Sequence, residues 1–223
     1  MHTKWKPLAV GAALLAAAPA LAGGVRGTVS FTGAAPKLNP FPVNKDQNTC
    51  GQSIPDESVV VAAGKLKNVV ITVKGPGAGP PVAATVVLDQ TKCHYVPHVQ
   101  VAPVGSTLDI VNSDPVLHNI HGYLGQATAF NLAMPLKGQK IPRKLDKAGL
   151  IRVKCDVHSW MHAWVVVADG PSAVSAEDGK FDIQNVPPGT YTVTAWHEKY
   201  GERTAQVTVP ASGDATVDFS FAG

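Results

Sequence analysis

The chain has little charge and nowhere concentrates it. Asp, Glu, Lys and Arg make up 16% of its 223 residues, and 19 basic against 16 acidic side chains leave a formal net charge of +3. No block of Lys and Arg is dense enough to follow a phosphate backbone, which excludes nucleic acid as the expected partner. Methionine is scarce as well: of three, one is Met1, which excludes a methionine-rich metal-delivery surface. Past Leu21 there is no apolar run of membrane-spanning length. Long helical repeats are missing too. The 21 glycines and 18 prolines recur between short Val/Ile/Thr-rich runs, a texture that predicts an all-β protein. With 45% hydrophobic residues the chain can build a core, so disorder is excluded.

The exception to the short runs is at the start. Lys4 and Lys6 precede an apolar stretch over residues 8–21, and Ala20 and Ala22 flank Leu21 before Gly23 and Gly24. This order of basic, apolar and small residues predicts a cleaved secretory signal over 1–22. Fourteen apolar residues fall short of the span of a bilayer. A periplasmic or secreted location follows, and that compartment is oxidising.

Cysteine is rare, and the three present leave one over if two pair. Cys155 lies in Lys154-Cys155-Asp156-Val157-His158-Ser159-Trp160-Met161-His162, where a thiolate, an imidazole and a thioether fall within seven residues. Sulfur donors favour Cu(I) and imidazole accepts either copper oxidation state, so the mixture suits copper, whereas zinc rarely takes methionine. An electron-transfer copper site needs a second imidazole. Asp114-Pro115-Val116-Leu117-His118-Asn119 offers one after the alternating run 107–112, which predicts a strand; runs 150–154 and 163–167 predict strands on either side of the Cys155 loop. A disulfide between Cys50 and Cys93 would close about 44 residues and add on the order of 4 kcal/mol. Two buried free thiols are the other reading.

The spacing Cys-x2-His-x2-Met, with the His118-Asn119 pair 37 residues upstream of Cys155, resembles the cupredoxins, and the short loop is most similar to that of the amicyanins. Tyr95-x-Pro97, followed by Val101, Gly105, Leu108, Asn112, Asp114 and His118, looks like the first half of the same domain, so the likeness covers about residues 82–168. It implies a Greek-key cupredoxin β-sandwich holding one copper ion, with His118, Cys155 and His158 as equatorial ligands and Met161 as the axial one. It also implies that Asn119 aims its backbone N–H at the thiolate. By the same resemblance the ring edge of His158 reaches the surface, within an apolar patch shared with Trp160 and Pro135, where electrons pass. The chain departs from the pattern at Ser159-Trp160, where amicyanin-like loops commonly carry proline.

Residues 176–223 follow another theme. Asp178-Gly179-Lys180-Phe181, then Pro188-Gly189-Thr190-Tyr191, resembles the carboxypeptidase regulatory-like (transthyretin-like) β-sandwich. About fifty residues are too few for its seven strands, and the runs 25–31 and 66–73 look like its opening ones. The expected organisation is a signal (1–22), N-terminal strands (23–78), a copper domain (79–169) and the regulatory-like sandwich (170–223). The copper domain is either inserted in that sandwich, the preferred arrangement, or in series with it.

His94, His98, His121 and His162 leave a second metal site open, though the plainer reading is structural, with His162 facing the opposite side of its strand from Met161. Trp196-His197-Glu198 also reads as structural rather than as an acid/base pair. Cys155 and His158 share one loop with no third orienting group, so enzymatic catalysis is not expected. The expected function is a periplasmic type 1 copper protein shuttling single electrons between redox proteins. The alternative is copper storage or delivery.

Overall fold

The computed structural model describes residues 1–2 and 23–223, so the expected signal lies outside the described residues apart from its first two. The described chain is all-β, as its glycine and proline punctuation predicts; its one described helix is the four-residue Gln47–Cys50.

Two hydrophobic cores organise the strands. The first lies between a sheet ordered Gln139–Leu145, Ser106–Asn112, Thr85–Thr91, His94–Val96 and a sheet ordered Ala127–Met134, His118–Leu124, Gly149–Lys154, His162–Ala168, Val99–Pro103. Each sheet mixes antiparallel hairpins with one parallel pairing, Ser106–Asn112 on Thr85–Thr91 and His162–Ala168 on Val99–Pro103. Parallel neighbours need long crossovers, so residues distant in sequence meet at one end of the sandwich. Leu88, Leu108, Ile110, Ile120, Val153 and Val165 meet in this core, each fully buried. Burying such side chains contributes about 1.5–3 kcal/mol apiece.

The second core collects Val25, Val29, Leu66, Ile71, Val73, Val193 and Phe221. Its strands come from both ends of the described chain. Gly23–Thr32 pairs antiparallel with Lys180–Val186 and parallel with Phe219–Ala222, while Val70–Lys74 pairs with Ser172–Val174 and Gly189–His197. Alternate residues of Gly189–His197 are buried, which places one face of the strand against that core. The close parallel approach of the chain's two ends requires Gly27, where a Cβ would run into the Val217 carbonyl oxygen.

One segment leaves its surroundings. Phe41–Pro42 pairs with Ser53–Ile54, and Val43, Cys50 and Ile54 are buried in the first core, although strands of the second core flank the segment in sequence. This strap is tied down by the disulfide between Cys50 and Cys93. Among the described residues no helix is long and apolar enough to cross a membrane.

Candidate metal centre

The loop between Gly149–Lys154 and His162–Ala168 is short because the strands it joins are paired up to Lys154 and His162. Within it the backbone closes on itself: Cys155 N–H donates to the Met161 carbonyl (3.2 Å) and Met161 N–H to that of His158 (3.0 Å). His118 opens the strand His118–Leu124, in the same sheet as the loop. Upstream of it the chain turns around Asn112, whose side-chain amide donates to the carbonyls of Val116 (3.1 Å) and Met134 (2.8 Å) while its oxygen accepts from Asp114 N–H (3.0 Å).

These constraints bring His118, Cys155 and His158 together, with one donor atom of each within 4.8 Å of the others. His118 Nδ1 and His158 Nδ1 are 3.1 Å apart, and Cys155 Sγ lies 3.8 Å from His158 Nδ1. Both imidazoles are fully buried, Met161 is buried, and Cys155 is a buried free thiol.

Each imidazole is oriented by a carboxylate on its far nitrogen. His118 Nε2 lies 2.8 Å from Asp114 Oδ2, and His158 Nε2 lies 2.9 Å from Asp46 Oδ2. An ionised carboxylate only accepts, so each Nε2 carries a proton and leaves Nδ1 as the nitrogen of each ring that faces the cluster. Burial, opposed by the Asp114 hydrogen bond, holds His118 below its ordinary pKa, which favours the neutral ring a metal requires. Two lone pairs 3.1 Å apart call for a shared proton or a metal ion. With a buried thiol completing the set, the donors fit copper.

Asp114 also accepts from the backbone N–H groups of Lys92 (2.7 Å) and Cys93 (2.8 Å), and Trp160 Nε1 donates to the Cys93 carbonyl (3.0 Å). The Tyr95 hydroxyl donates to the carbonyls of Asn119 (2.6 Å) and Lys154 (3.1 Å). Its burial, with Cys155 and Asp156 nearby, raises its pKa well above the usual value and keeps it a donor.

The expected surface exposure of the ligand loop is revised by this geometry. His158 does not present a ring edge to solvent: Asp46 of the strap covers its Nε2, and Trp160, expected at the surface, is buried against its ring at a centroid distance of 5.1 Å. Pro135 is exposed. Asn119 reaches the loop by its side chain as well, whose oxygen accepts from Asp156 N–H (2.9 Å). The orienting role of Asp46 is the one the sequence concealed, since 112 residues separate it from His158. Asp114 was visible only as part of a motif. His121 lies apart from the cluster, on the exposed Asp156 and Thr128 and the half-buried Tyr123.

Residues 162–222 match the family model of the carboxypeptidase regulatory-like domain. Among solved structures, a reduced amicyanin variant is 27% identical, covers 43% of this chain and 98% of its own, and gives a TM-score of 0.34. Amicyanin from Paracoccus versutus (Thiobacillus versutus) is 26% identical over 44% of this chain and 96% of its own, at a TM-score of 0.34. A purple cupredoxin from Nitrosopumilus maritimus is 22% identical over 38% of this chain and 98% of its own, at 0.31. A search of curated proteins found no match.

Proposed function

We propose that this chain is a type 1 copper protein of the periplasm or cell exterior that passes single electrons between redox proteins, without catalysis of its own. His118 Nδ1, His158 Nδ1 and Cys155 Sγ are the equatorial donors and Met161 the axial one. The observation that carries this reading is the convergence of two carboxylate-oriented imidazoles and one free thiol in a buried cluster. Copper bound there would supply a one-electron couple whose potential the weak axial sulfur and the surroundings of the thiolate tune.

The chain's own contribution is rigidity. Asp114 and Asp46 fix both rings, the 155–161 backbone is closed by its own hydrogen bonds, and the side chains are shielded from water. Groups that cannot move suit an ion that must change oxidation state with little rearrangement. Because the strap covers His158, the route to a partner runs beside His118, where Leu117 and Leu136 expose apolar side chains at the end of the paired strands His118–Leu124 and Ala127–Met134.

The proposed organisation is a signal over 1–22, a copper domain over 79–169, and a regulatory-like sandwich built from parts of 23–78 together with 170–223. Its support is the second core, which draws on residues 25–78 and 181–221 while the first takes most of its side chains from 88–167. Cys155→Ser is expected to abolish the thiolate-to-copper absorption band while leaving the β-sheet circular dichroism unchanged. A band retained in that variant contradicts the ligand assignment.

A further inference from the structure

A second cluster of donors lies where the two sandwiches meet. His98 directly precedes the strand Val99–Pro103, and His162 opens the strand His162–Ala168, its parallel neighbour. Glu198 comes from the other sandwich, directly after Gly189–His197. One donor atom from each lies within 4.8 Å of the others. His98 Nε2 contacts Glu198 Oε1, and both side chains are 5% exposed. The rings of His98 and His162 are 5.0 Å apart, edge to face. A cavity of about 10 Å³, room for one water-sized species, lies on the His98 and His162 side of the cluster, lined also by Phe41, Glu57, Tyr95 and Trp160 but not by Glu198.

A cation bound here would replace the proton that His98 Nε2 donates to Glu198. His162 Nδ1 lies 3.0 Å from the Trp160 carbonyl, which only accepts, so the neutral ring keeps its lone pair on Nε2. Burial pushes the Glu198 pKa up, but the hydrogen bond and charge of His98 outweigh it and hold the group below its ordinary value, as a carboxylate. The frame is stiff: Trp164 N–H donates to the His98 carbonyl (2.9 Å), and Trp164 packs on Trp196 at a centroid distance of 5.4 Å. An ion pair accounts for His98 and Glu198, and the Trp160 carbonyl engages His162 Nδ1, which leaves the second ring nitrogen of His162 beside that pair.

We propose that His98, His162 and Glu198 form a second metal site, for a divalent borderline cation of the zinc kind, which clamps the two sandwiches together. Two imidazoles and one carboxylate are a common Zn²⁺ donor set, with a fourth position for water. The absence of sulfur disfavours Cu(I), so the two sites discriminate between metals by donor softness. The clamp acts on the residue directly after Met161 and so braces the end of the first site's loop.

Zinc uptake by the metal-free Cys155→Ser protein, in which the first cluster lacks its thiolate and the added substitutions below report on the second, is the test. One equivalent of Zn²⁺ is expected, and Co²⁺ in its place is expected to give d–d bands without a sulfur charge-transfer band. Adding Glu198→Gln is expected to weaken uptake at least tenfold, and His162→Gln, at a half-buried position, gives a second variant should the first fold poorly. Failure of Cys155→Ser to take up either metal overturns the proposal. So does uptake that neither added substitution weakens.

Discussion

The two imidazoles of the first cluster owe their orientation to single oxygen atoms. Asp114 is anchored by two backbone N–H groups, but Asp46 is held only through the strap and is a third exposed at its side chain. Removing a carboxylate that orients a ligating histidine typically costs 10–100-fold in metal affinity. Asp46→Ala is therefore expected to weaken Cu(I) binding by about that factor in a chelator competition, with secondary structure unchanged; an unaltered affinity would mean that Asp46 merely covers His158. At this scale the sequence was legible where donors share a loop, because Cys155, His158 and Met161 declare themselves by spacing. It was silent on Asp46, whose partner lies 112 residues away. It also misled on His158, since the exposure of a loop residue depends on what the rest of the chain lays over it.

At the scale of elements, the strap over residues 41–54 connects the disulfide to the site. Cys50 ends the helix that follows Asp46, and Cys93 donates its N–H to Asp114, so the cystine lies between the carboxylates that orient His158 and His118. Opening a cross-link over a sequence separation of 43 residues restores unfolded-chain entropy worth about 4 kcal/mol. For a chain of this size that corresponds to a loss of roughly 10 °C. The double variant Cys50→Ser, Cys93→Ser is expected to melt lower by about that amount in calorimetry and to lose copper affinity along with stability; an unchanged midpoint would show that the strap is held by packing alone. The strands around the ligand loop were legible as alternating runs. The strap was not, because two-residue strands carry too little pattern to register.

At the scale of the whole molecule, two cores share one chain and meet near His197. That ring is buried, its Nδ1 accepts the Lys199 N–H (3.2 Å), and it stacks on Tyr200 at 5.0 Å. Burial drives its pKa from 6.5 down to about 4. Between those values the unfolded chain binds more protons than the folded one. This contribution to stability is complete above pH 6.5 and is lost as the pH falls toward 4, amounting to about 3 kcal/mol. Denaturant unfolding of the metal-free protein is expected to show that slope, and His197→Gln to flatten it; an equal slope in the variant would assign the effect to other groups. The all-β character was legible from glycine and proline punctuation. The meeting of Glu198 with His98 was not, since it depends on how two sandwiches pack. A copper site made by His118, Cys155, His158 and Met161 stands or falls with the visible absorption of the protein given one equivalent of Cu(II) and then a reductant. An intense thiolate-to-copper band that bleaches on reduction and returns on reoxidation is expected. Cu(II) bound without such a band, or no copper bound, would contradict it.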